Sequence, residues 1–113
     1  MVLAIAVSGG RVAPLFDTAR CVRLLHLDHG QLSSSQELRL ADDGTFGRVA
    51  ALVRWDVDTV ICGAITRQLS AALEGRGIEV IGLVAGEVGC VLEAYRGGAL
   101  PGEEFSLPGS SST

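Results

Sequence analysis

The stretch Val2-Leu3-Ala4-Ile5-Ala6-Val7-Ser8-Gly9-Gly10 decides how the rest of the chain is read. Its apolar run is continuous from Val2 to Val7 and stops at a serine and a glycine pair. A run that short and apolar at every position suits a strand covered on both faces, which places it in the middle of a sheet.

Working outward, Cys21 to Leu27 is again rich in apolar residues and ends at Asp28-His29-Gly30-Gln31, a turn signal that leads into Leu32 to Leu40. The two runs form a hairpin. In its second arm Leu32, Leu38 and Leu40 share one parity with Ser34 and Gln36 between them, the pattern of a half-exposed edge strand. Asp42-Asp43-Gly44-Thr45 then offers helix-capping side chains, and Phe46, Val49, Ala50 and Val53 follow at helical spacing to about Trp55-Asp56. Thr59-Val60-Ile61-Cys62 is a fourth strand stopped by Gly63. Thr66 caps a second helix with a stripe of Leu69, Ala72 and Leu73, closed by Gly75 and Gly77. Ile78 to Val84 is the fifth strand, and Val88, Val91, Leu92 and Tyr95 mark a third helix stopped by Gly97-Gly98.

The order βββαβαβα predicts a single α/β domain over residues 1–100, with residues 101–113 as a mobile tail without periodicity. Strands joined through a helix run parallel with a right-handed crossover, whereas the hairpin runs antiparallel. The expected sheet is five-stranded and mixed, in order 3-2-1-4-5, with the second strand antiparallel and helices on both faces. Ligands of such sheets bind beyond the carboxyl ends of the parallel strands, where connections diverge. That crevice would be lined by the loop Ser8–Arg20, the turn Cys62–Arg67 and the loop Val84–Gly89.

Composition narrows the function. At 113 residues the chain is long enough for one core without disulfides. Its apolar runs fall short of the roughly 18 to 20 residues of a membrane span. The N-terminus lacks the basic flank of a signal peptide, so a cytoplasmic, membrane-free protein is expected. Cys21, Cys62 and Cys90 are odd in number and lack C-x-x-C spacing, which argues against a disulfide framework and a structural zinc site. The net charge of −4, with every cation an arginine, excludes a general nucleic-acid surface.

Three stretches at the expected crevice resemble the dinitrogenase iron–molybdenum cofactor biosynthesis family. They are the loop Val12-Ala13-Pro14-Leu15-Phe16-Asp17-Thr18-Ala19-Arg20, the turn Val60-Ile61-Cys62-Gly63-Ala64-Ile65, and the closing helix Val91-Leu92-Glu93-Ala94-Tyr95-Arg96 with its Gly97-Gly98 stop. The resemblance covers about residues 1–100 and implies a ribonuclease H-like topology. It also implies a binding or carrier role for an anionic cluster: iron–molybdenum cofactor, a precursor, or a molybdenum–copper sulfide cluster like that of the orange protein. Cluster-assembly or ATPase-type proteins are the partners it suggests. Many relatives carry His before the Phe of the first loop and in the loop before the first helix; here those places hold Leu15 and Asp42-Asp43-Gly44.

Such clusters are anions, and an anion can be held by arginines and backbone N–H groups without a metal–protein bond. The candidate cluster-binding residues are Ser8, Gly9, Arg11, Pro14, Phe16, Arg20, Cys62, Gly63, Ala64, Arg67 and Gly86. Cys62, at the end of a central strand, is the candidate ligand for a soft metal, with burial in the core as the competing reading. Cys21 and Cys90 read as packing residues, Phe16 as a shield or the plug of its own loop, and Asp17 as a cap. His26 and His29 flank the hairpin turn, at the end of the sheet away from the crevice. Strand 1 carries no acidic residue, so the clustered carboxylates of a two-metal nuclease are missing, and neither histidine can join a catalytic triad. A non-enzymatic carrier is expected; the alternative is an interaction or regulatory protein that keeps the fold without a ligand.

Overall fold

The computed structural model describes residues 1–41 and 44–98. The expected tail 101–113, and the capping pair Asp42-Asp43, lie outside the described residues. The elements run β1 (Val2–Ser8), β2 (Arg11–Val12), β3 (Cys21–Asp28), β4 (Gln31–Arg39), α1 (Gly44–Arg54), β5 (Thr59–Ile61), α2 (Arg67–Glu74), β6 (Glu79–Ile81) and α3 (Val88–Arg96). The sheet order is β4-β3-β1-β5-β6, with β3 antiparallel to β1 and β5 and β6 parallel to it. This is the expected ribonuclease H-like order, with one addition. Gly9 and Gly10 both take positive φ (59° and 80°), the requirement of a two-residue type I′ hairpin, and fold the short β2 back onto the end of β1.

Both faces of β1 are buried, as its unbroken apolar run requires. Ala4 and Ala6 face α1 and α2 through Val49, Leu52, Leu69 and Leu73; Leu3, Ile5 and Val7 face α3 through Val88, Val91 and Leu92. Burying each of these larger side chains contributes about 1.5–3 kcal/mol.

Two patterns read from the sequence resolve differently. Leu32 pairs with Leu27 and Ser34 with His26, which leaves Ser33 as an extra residue bulged out of the ladder, its Oγ donating to the His26 carbonyl at 2.9 Å. The bulge shifts side-chain parity, so Leu32 lies on the α3 side and Leu38 on the α1 side, not on one face. In α1, Phe46 is 85% exposed and Ala50 is exposed, while Arg48, Val49 and Leu52 are buried. The helix is rotated from its expected stripe because Arg48 is drawn inward by carbonyls of the first loop.

Candidate functional site

The three segments expected to meet at the carboxyl rim do meet, and they are joined by backbone hydrogen bonds. Phe16 N–H donates to the Ala64 carbonyl at 2.8 Å and Ala64 N–H to the Pro14 carbonyl at 2.7 Å, a parallel bridge between Leu15 and Ala64. Val12 N–H donates to the Gly86 carbonyl and Val88 N–H to the Gly10 carbonyl, with Arg11 bridged to Glu87. Gly63 faces the first loop so closely that a Cβ there would stand 2.5 Å from the Ala13 carbonyl oxygen and 2.6 Å from that of Pro14. No room remains for a guest between these two segments.

This closure decides the fate of several candidates. Phe16 and Cys62 are fully buried, so Phe16 is the plug of its loop and Cys62 is a core residue, not a rim thiolate. Burial, and secondarily the carboxylate of Asp17, pushes the Cys62 thiol from 9.0 up to about 12. A thiol so placed stays protonated at neutral pH and is a poor metal ligand. At the start of α2 the chain supplies its own anion. Asp17 accepts from Thr66 N–H at 2.9 Å and from the Thr66 hydroxyl, while Thr66 Oγ1 accepts from Leu69 N–H at 3.3 Å. A carboxylate at a helix N-terminus is favourable for the same reason an anionic ligand would be. Arg67 points to a separate hollow with Ile65 and Leu83, and Arg11 and Gly86 belong to the β2–α3 seam.

The open space lies beside this seam. A cleft of about 620 Å³ is walled by the Ser8–Gly10 hairpin tip, by Pro14, Leu15 and Thr18 of the first loop, and by Arg20, Cys21, Arg23 and Glu37. Of the candidates, it gathers Ser8, Gly9, Pro14 and Arg20. Thr18 and Arg20 also border an adjoining hollow of about 510 Å³ with Arg39 and Arg48. The ladder explains the convergence. Cys21 is paired with Arg39 and Arg23 with Glu37, and Leu40 N–H donates inward to the Arg20 carbonyl at 2.7 Å. By alternation, positions 39 and 37 form the non-hydrogen-bonded pairs, whose side chains stand closest across an antiparallel ladder. Cys21, Arg23, Glu37 and Arg39 therefore share one face of the hairpin at this end of the sheet.

Arg23 and Arg48 were not singled out in the sequence. Arg23 had a readable signal: a charge inside an apolar strand, two residues from Cys21 and on the same face. Its side chain lines the cleft, and its Nε is buried without a hydrogen-bond partner among the described residues. Arg48 had none, since its Nη1 reaches the Phe16 and Ala19 carbonyls (3.2 and 2.6 Å) only through tertiary packing. Cys21 packs against the α3-side core as its packing reading has it and, being half-buried, also lines the cleft. Among the described residues, no three His, Cys, Asp or Glu side chains converge as a metal-holding set. His29 stands at the opposite end of the sheet, beside Met1 and Asp28.

This ribonuclease H-like sheet with its rim cleft belongs to a recognisable class. The chain is a member of the family described as dinitrogenase iron-molybdenum cofactor, which it matches over residues 1–98. The crystal structure of PH0822 superposes with a TM-score of 0.82 at 18% identity, covering 87% of this chain and 90% of that one. A Methanocaldococcus jannaschii protein, MJ0327, designated a candidate dinitrogenase, gives 0.72 at 17% identity in its crystal structure (88% and 90% covered) and 0.70 at 16% in its NMR structure (98% and 95%). At such identities the likeness is one of fold. No curated protein matches the chain significantly. No helix among the described residues is long and apolar enough to cross a membrane.

Proposed function

We propose that this chain is a non-enzymatic binding or carrier protein for an anionic molybdenum-containing metal–sulfur cluster, held in the cleft between the Gly9-Gly10 tip and the start of β3. The observation that carries the reading is the convergence of Arg20 and Arg23 on one cleft. Guanidinium groups and exposed backbone suit a polyanion whose sulfur and oxygen atoms accept hydrogen bonds. Cys21 adds a soft ligand for copper or iron at the cluster's edge. Family membership supports cofactor-related chemistry; the choice among iron–molybdenum cofactor, precursor and molybdenum–copper sulfide is part of the proposal, as are a cytoplasmic location and cluster-assembly or ATPase-type partners.

Anaerobic reconstitution with tetrathiomolybdate, alone and with cuprous ion, tests it. The expected result is a charge-transfer band with stoichiometric molybdenum, weakened by Arg20→Gln and Arg23→Gln while the far-UV spectrum is unchanged. Protein that retains no molybdenum would sink the reading, and full retention by both variants would move the site elsewhere. A second reading, an interaction protein that keeps the fold without a ligand, is favoured by the sealed contact between the first loop and the Cys62–Ile65 turn. Recovery of a stable partner from native extract, with an empty cleft, would select it.

A further inference from the structure

The strand β4 is the outer edge of the sheet, and apart from half-buried Leu38 all its residues from Gln31 to Arg39 are exposed. An edge of that length with free backbone groups is a template for another strand, unless something blunts it. The Ser33 bulge blunts the first half. The second half, Gln36 to Arg39, is regular and carries neither Pro nor Lys.

We infer that a second copy of this chain pairs with that half, antiparallel and about a two-fold axis through Leu38. The register follows from the ladder. Leu40 N–H points inward to Arg20, so the N–H and C=O groups of Glu37 and Arg39 point outward and are the ones free to bond. A continuous sheet also requires that paired residues share a face, which excludes registers that would set Glu37 against Leu38. An axis through Glu37 would oppose two like charges. An axis through Leu38 instead sets Glu37 of each copy against Arg39 of the partner subunit, gives two hydrogen-bonded opposite-charge pairs, and stacks Leu38 on Leu38 along the α1 side. Because Glu37 lines the cleft and Arg39 the hollow beside it, the pairing lays the two sites side by side on one face.

Sedimentation equilibrium on the full chain, from micromolar to millimolar, tests this. A reversible dimer is expected. Glu37→Arg and Arg39→Glu should each raise the dissociation constant on the order of tenfold, because two attractive pairs become repulsive. The double swap Glu37→Arg/Arg39→Glu should restore it. Glu37→Pro should abolish the dimer with an unchanged far-UV spectrum, since its N–H faces outward and serves no bond among the described residues. A monomer at all concentrations overturns the inference. So does a dimer indifferent to the single substitutions, or a double swap as weak as either single.

Discussion

Replacing Arg48 by Met should cost this fold far more than a helix-surface substitution. Arg48 is only 4% exposed, and its Nη1 donates to the carbonyls of Phe16 and Ala19, which brace the first loop at both ends of its 3₁₀ turn. Met keeps the length and the apolar stem and removes both donors. The Ala19 carbonyl is then left unpaired at about 1–3 kcal/mol, whereas the Phe16 carbonyl keeps the Ala19 N–H at 3.1 Å. Relief from burying a charge offsets part of that. The net loss should be about 1–2 kcal/mol, which in a domain of this size lowers the melting temperature by about 5–12 °C. Urea unfolding followed by circular dichroism measures it. Arg48→Lys, which retains the charge but cannot reach both carbonyls well, should fall between. A loss below about 1 kcal/mol for the Met variant would show that the loop holds itself and that Arg48 is not its brace.

Gly63→Ala should destabilise by about 2 kcal/mol or more, because its Cβ would meet backbone oxygens that cannot swing aside; a melting temperature within about 2 °C of the parent would contradict the closeness of that contact. For Cys62 the sign runs against alkali. Its thiol ionises near 9.0 in the unfolded chain and near 12 in the folded one, so between those values the unfolded state holds fewer protons and stability falls as pH rises. The slope is at most about 1.4 kcal/mol per pH unit, and Cys62→Ala should flatten it; equal slopes in both proteins would refute the assignment. In native protein at pH 8, a thiol alkylator should modify exposed Cys90 and half-buried Cys21 and spare Cys62 until denaturant is added, as peptide mass mapping would show.

The sheet was legible in the sequence because its decisive signals are local: the unbroken apolar run of β1, the Gly9-Gly10 stop, the turn at Asp28–Gln31, and the Thr66 cap. The meeting of three loops at one rim followed from topology alone. How they meet did not. Whether Ala64 and Phe16 exchange backbone bonds, or leave a gap for a guest, depends on a fit of tenths of an ångström at Gly63, and no spacing rule encodes that. The cleft was displaced from the expected crevice toward β3 for the same reason. The parity of Leu32 with Leu38 misled because a bulge adds one residue without a mark in the sequence, Ser33 being as ordinary as its neighbours. Cys62 at a strand end read equally well as ligand or core, and only its complete burial separates the two.

The stitch between Pro14–Phe16 and Ala64 divides the interior of the molecule from the cleft beside it. With that partition in place, a guest of the proposed cleft could arrive and depart without the protein breathing. Its residence time would then be set by ionic strength and by rim arginines, and the slow opening of amides such as those of Phe16 and Ala64 would report on global unfolding instead.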